Sequence, residues 1–271
     1  PDRTRISAAS AGTTARAAVT ASPVPRGSAW GAKTGWSAEA SRIALAFEAL
    51  SSETDGLIDF NRAPDTRINQ VVTRYDLRQM LRDGNYDIVH FAGHAAFDAQ
   101  RPESSAWLLS DGPFSAQSIR NTLRWRETQP WLVFANACEA GMAGQPPQMY
   151  QTDVFGIASA FLDHGVNVFI GPLWRIDDNV AAETALLFYQ QLLKERQTVG
   201  EALRRAKVAA KARYFDPVLE PTSAARASEE RVALISWAGL VLYGNPTATI
   251  GQRVGAPAPV APPNPEGRDD V

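Results

Sequence analysis

Apolar residues at Ile43, Ala44, Ala46, Phe47 and Leu50 recur every three or four positions and predict a one-faced helix over 38–50. Leu77, Met80 and Leu81 predict a second helix over 73–82. The short β-branched run at 86–91 then reads as a strand buried on both faces and ended by Gly93. The runs at 131–135 and 166–170 repeat that signal, the second closed by Gly171 and Pro172. Asp153 caps a helix with Val154, Ile157, Ala158, Phe161 and Leu162 inward, stopped at Gly165. Asp177 or Asp178 caps the next helix, which presents Ala182, Ala185, Leu186, Tyr189 and Leu193 on one side. Thr198 and Glu201 form a capping box for a helix to about residue 214, and a last strand is expected over 237–243 before the turn at Gly244. Strands alternating with helices of this length require parallel crossovers, so the fold class is α/β with a helix-flanked sheet.

Both ends of the chain break this pattern. Residues 1–37 contain no Leu or Phe and are dominated by Ala, Ser, Thr, Gly and Arg, the composition of a disordered linker. Residues 251–271 hold five prolines and read as a Pro-rich disordered tail, which leaves a folded body at 38–250. No initiator Met is present, as expected of a piece of a longer chain. No run reaches the roughly 18 apolar residues of a membrane span. With 27 basic against 29 acidic residues, the formal charge is −2, which argues against direct nucleic-acid binding or an anionic membrane surface as partner. The single cysteine, Cys138, excludes an internal disulfide framework and fits a reducing, cytoplasmic location.

In a sheet of this kind, reactive groups gather beyond the carboxyl ends of the strands. His94 follows Gly93 at the end of the first buried strand, and Cys138 holds the corresponding place after the second. If those strands are neighbours, an imidazole and the thiol meet at one edge. A free thiol, with a pKa of about 8.5, needs such a base to become a nucleophile. The same imidazole then protonates a leaving amine. The backbone N–H groups of Ala95 and Cys138 are candidate oxyanion donors.

Other readings of the same residues are plainer. A lone cysteine at a strand end is often an inert small hydrophobe. His90 lies inside its strand and reads as packed core or as support for the site, and His164 sits beside the helix stop Gly165, where the helix dipole accounts for it. One Cys and three scattered His carry no metal-ligand spacing, so neither metal nor cofactor is expected. Nucleotide-binding glycine motifs and G-x-S-x-G are absent. The basic run Arg204, Arg205, Lys207, Lys211, Arg213 reads as a solvated helix face.

The ordered landmarks 87–94, 108–112, 135–141, 171–178, 188–189, 201–203 and 237–244 resemble those of CHAT domains, caspase-like cysteine peptidases of clan CD type, related to separase and often placed after TPR repeats. The resemblance implies a caspase/separase-like, mostly parallel sheet with helices on both faces, and a dyad of His94 and Cys138. It also implies backbone oxyanion donors at Cys138 and at the residue after the histidine, which is glycine in most such sequences and Ala95 here. The specificity pocket of such proteins is walled by the segment after the third strand, where separase-like relatives carry an acidic residue that receives a basic side chain. Asp178 is the better match, with Asp177 and Trp174 beside it. Glu139, adjacent to the nucleophile, would oppose thiolate formation at close range and is expected to point away. The function implied is a cysteine endopeptidase cleaving a protein substrate, such as a gasdermin-like or other effector, in a bacterial defence or cell-death system gated by an upstream TPR or sensor module. The alternative is a catalytically silent module that binds a peptide uncut.

Overall fold

A computed structural model of the chain describes residues 15–21, 35–54, 57–60, 65–68, 71–98, 101–124, 128–139, 153–174, 176–214 and 235–250. The first half contains β1 (Ala15–Ala21), α1 (Gly35–Glu53), β2 (Ile58–Asp59), β3 (Thr66–Arg67), α2 (Arg74–Asp83), β4 (Ile88–Ala96), a 3-10 turn (Pro102–Ser104), β5 (Ala106–Leu109), β6 (Gly112–Ser115) and α3 (Ala116–Leu123). The second half contains β7 (Leu132–Glu139), α4 (Asp153–Leu162), β8 (Val168–Pro172), α5 (Asp178–Tyr189) running into a π-turn (Gln190–Lys194), α6 (Val199–Tyr214) and β9 (Leu240–Gly244).

The nine strands of the described residues form one mixed, mostly parallel sheet with the order β2-β1-β4-β7-β8-β9. Parallel pairing runs from β2 through β8, with β3 also parallel to β1. The β5–β6 hairpin joins β4 antiparallel, and β9 joins β8 antiparallel. Period-two alternation in doubly buried strands creates two cores, one on each face. Ile88 and Ala92 of β4 and Leu132 and Phe134 of β7 pack with Ile43 and Phe47 of α1, Phe188 of α5 and Leu203 of α6. Val89, Phe91, Val133 and Ala135 of the same two strands pack with α2, α3 and α4 through Leu81, Ile119 and Phe161. The architecture is therefore the α/β fold expected, with helices on both faces.

Several elements differ from the sequence reading. Residues 15–21, assigned above to a linker, form β1, whose Ala17 and Val19 are fully buried between α1 and β4. Small side chains conceal this strand in the sequence, because the burial that orders it is supplied by its neighbours. The remainder of 1–34 and the tail at 251–271 lie outside the described residues. Strands β4 and β7 run past their apolar cores to Ala96 and Glu139, so Gly93 lies within a strand rather than in an exit turn. Residues 235–239, read as part of the last strand, are helical, and β9 starts at Leu240. The hairpin β5–β6 and helix α3, capped by Ser115, lacked a period long enough to announce them. Among the described residues no helix is long and apolar enough to cross a membrane.

Helix α2 opens on a capping box in which Thr73 accepts from the Asp76 N–H at 3.2 Å and the Asp76 carboxylate accepts from the Thr73 N–H at 2.9 Å and its hydroxyl at 2.6 Å. These bonds from Thr73 hold Asp76 below its ordinary pKa of 3.8. Thr73→Ala should lower stability by about 1 kcal/mol at neutral pH in urea denaturation. Because the folded-state pKa is lowered, Asp76's contribution is present above its ordinary value and is lost as the pH falls through the lowered one. The difference between wild type and variant should therefore shrink below pH 3.8.

Candidate active site

The parallel ladder between β4 and β7 runs from Ile88 opposite Leu132 to Ala95 opposite Glu139, and it pairs His94 with Cys138. Neighbouring strands lie about 4.8 Å apart, so the two residues occupy adjacent backbone positions. On its other flank His94 pairs with Leu108 of β5, which leaves this part of β4 held from both sides. His94 is buried, at 2% exposure. Ala95 continues the strand, fully buried between Trp107 and Glu139. Its φ is not positive, so its Cβ causes no backbone strain there. The side chains of Cys138 and Glu139 lie outside the described residues.

Beneath that pair, four polar side chains meet inside the core on the α1 face. Glu39 of α1, His90 of β4, Asn136 of β7 and Tyr189 of α5 are each at most 4% exposed. Glu39 Oε1 accepts from Asn136 Nδ2 at 2.6 Å and lies 3.1 Å from His90 Nε2. One carboxylate oxygen can serve both partners only if Nε2 carries a proton, which sets that side of the imidazole as a donor. His90 Nδ1 lies 3.2 Å from the Tyr189 hydroxyl. Burial, and then the charge on Glu39, push the Tyr189 pKa well above 10.0, which keeps the hydroxyl protonated. Aromatic rings close the cluster: His90 stacks on Phe134 at 5.4 Å, and Tyr189 meets Phe47 edge-on at 4.6 Å.

The segment after β8 carries the remaining candidates. Asp177 is the N-cap of α5, with Oδ1 accepting from the N–H groups of Asn179 at 3.0 Å and Val180 at 3.1 Å. Its own N–H donates to Ser236 Oγ at 2.8 Å, which ties the cap to the helical turn before β9. Asp178 is the first residue of α5 and is half-buried. Trp174 is half-buried against the α1-side core, and its indole N–H, itself buried, has no hydrogen-bond partner among the described residues. A Cβ on Gly239 would come within 2.5 Å of Ile176 Cγ2 and 3.0 Å of Trp174 Nε1, so glycine is what lets this segment close on β9.

Two readings away from the edge are also resolved. His164 Nδ1 lies 3.0 Å from the Ala160 carbonyl at the end of α4, and Gly165 follows with φ +92°, a helix-terminating arrangement. On α6, Arg204 and Arg205 pair with Glu201 and Arg213 with Glu183, as a solvated face would. Lys207 departs from that reading. It is half-buried with its pKa lowered by desolvation, and it donates to the carbonyls of Ala238 at 3.0 Å and Leu240 at 2.8 Å. Those carbonyls end the 235–239 helical turn and begin β9, so Lys207 anchors the last strand.

Glu39 was not singled out in the sequence, although a signal existed. It sits four residues before Ile43 and eight before Phe47, on the stripe that α1 buries. A carboxylate on an apolar stripe needs a buried partner. Asn136 and Tyr189 lay within recognised landmarks without an assigned role. Among the described residues no group of three or more His, Cys, Asp or Glu is arranged to hold a metal ion.

A family model described as CHAT domain matches residues 2–245. No functionally curated protein sequence matches the chain. Among solved structures, the Arg-specific cysteine proteinase gingipain R (RGPB) superposes with a TM-score of 0.52 at 13% identity, over 88% of this chain and 47% of that one. The complex of Porphyromonas gingivalis RgpB pro- and mature domains gives 0.51 at 13% identity, over 88% and 48%. The Saccharomyces cerevisiae separase–securin complex gives 0.44 at 12% identity, over 85% and 12%. The chain thus spans about half the length of the gingipain chains and shares their cysteine-peptidase fold.

The cap geometry separates the two aspartates. Asp177→Ala should lower stability by about 1 kcal/mol in urea denaturation.

Proposed function

The chain belongs to the CHAT domain family, and on that premise we propose that it is a cysteine endopeptidase, with Cys138 as nucleophile and His94 as general acid and base on a protein substrate. The observation that carries the reading is the β4–β7 register, in which position 94 pairs with position 138 at the carboxyl ends of adjacent parallel strands. That is where an α/β sheet concentrates reactive groups.

In the proposed reaction His94 takes the thiol proton, and the Cys138 sulfur attacks the scissile carbonyl carbon to form a tetrahedral oxyanion. The N–H of Cys138, with that of Ala95, donates to this oxyanion. Ala95 lies between paired strands, so its N–H serves only if the ladder opens toward Glu139 or Trp107. The imidazolium then protonates the departing amine as the carbon–nitrogen bond breaks, leaving a thioester. Water, deprotonated by His94, attacks that thioester, releasing the new carboxyl end and regenerating the thiol.

Specificity in this reading falls to Asp178, the position that best matches the acidic residue of separase-like relatives, while Asp177 caps α5. An anionic residue there selects a basic side chain before the cut, with Trp174 lining the same wall. Control by an upstream sensor or TPR module, and an effector protein as substrate, belong to the same proposal.

Cys138→Ala and His94→Ala should each abolish cleavage in a peptide-library digest while the circular dichroism of the protein is unchanged. Undiminished cleavage by purified Cys138→Ala protein would sink the assignment. Asp178→Asn should raise KM by about 10-fold for substrates with Arg or Lys before the cut, roughly the loss of one charged contact, and should leave KM for other peptides unaltered.

A further inference from the structure

Three alternate rows of the β4–β7 ladder pair His90 with Phe134, Ala92 with Asn136, and position 94 with position 138, and the first two rows face α1. The middle row pairs the smallest chiral side chain with an amide. Glu39 reaches Asn136 from above at 2.6 Å and His90 at 3.1 Å, so its carboxylate bridges the first two rows where Ala92 leaves room. Successive same-face rows are separated by about 7 Å along a strand. The bridge therefore spans the two rows beneath positions 94 and 138, with Asn136 of β7 one row away and His90 of β4 two rows away.

A fully buried carboxylate is a poor device for stability alone. Desolvating it costs several kcal/mol before its partners compensate, and replacing such a group together with its partners by apolar residues of similar volume is frequently neutral or stabilising. Directional hydrogen bonds in a buried cluster instead favour one arrangement of the groups they join. Here they join the two strands that carry the reactive pair to the helix that covers them.

We propose that Glu39 is a positioning residue for the peptidase reaction: by accepting hydrogen bonds from His90 on β4 and Asn136 on β7, it holds the two strand ends in the alignment that sets position 94 beside position 138. The proposal rests on the peptidase reading above. It also makes the seating of α1 a determinant of turnover, because Glu39 is displaced if α1 shifts on the sheet.

The test compares Glu39→Leu with Glu39→Gln in the full chain. Leu fills the volume and removes both acceptors, whereas the Gln amide oxygen still accepts from His90 and Asn136. With Glu39→Leu, kcat should fall by about 10- to 100-fold, the size expected of a small misalignment. KM should stay near wild type, the thermal midpoint should fall because His90 and Asn136 lose their buried acceptor, and Glu39→Gln should recover most of the rate and of the midpoint. Wild-type kcat in folded Glu39→Leu, or a loss matched by its unfolded fraction, overturns the proposal. If Glu39→Leu does not fold, Asn136→Ala, which removes one anchor, is read in the same way. If the wild type cleaves no peptide, the peptidase reading fails separately, and amide hydrogen exchange decides the positioning. Faster exchange of residues 92–96 and 135–139 in the variant, with the rest of the sheet unchanged, supports the proposal, and unchanged exchange there overturns it.

Discussion

The parallel ladder between β4 and β7 is the constraint on which the molecule depends. Eight consecutive residue pairs link the two strands, and each strand is buried on both faces. A slip of one residue would turn Phe91, Val133 and Ala135 toward the α1 side and expose the polar cluster to the opposite core. Register is therefore enforced by two cores at once. The juxtaposition of positions 94 and 138 is a consequence of that enforcement rather than of any local feature of either residue.

The same ladder explains why the interior tolerates so much polarity. Glu39, His90, Asn136 and Tyr189 would each be costly in isolation. Together Glu39, His90, Tyr189 and the Asn136 amide nitrogen partner one another within a ring of Phe47, Phe134 and Phe188, leaving the Asn136 Oδ1 buried without a partner among the described residues. Contact between a helix and a sheet is ordinarily non-directional apolar packing, which fixes position loosely along the helix axis. Hydrogen bonds from α1 to both central strands add direction and pin α1 to one seat on the sheet.

At the carboxyl edge, the flanking elements divide the work. The β5 strand braces β4 at His94. Pairing of β7 with β8, by contrast, ends at Phe134 opposite Ile170. Asp177, Ser236 and Lys207 then tie the segment after β8 and the start of β9 to α5 and α6. The edge of the sheet is thus paired on both sides of β4 at His94 and unpaired between β7 and β8 beyond Phe134.

The sequence by itself determined the alternation of helices and doubly buried strands, the α/β class, an aspartate cap at 177 or 178, and the two residues at matching strand ends. These follow from short-range periodicity and from the chemistry of individual side chains. It did not disclose β1, because Ala15, Ala17, Ala18 and Ala21 carry too little apolar surface to mark a strand, and their burial is provided by α1 and β4. Nor did it disclose that Gly93 continues a strand, since glycine permits a turn without requiring one and the pairing with Ala137 decided the matter. The partners of Glu39 lie 51 and 97 residues away. A charge on an apolar stripe announced that such partners must exist, and only the tertiary structure, by bringing α1 over the β4–β7 ladder, decided which residues they are.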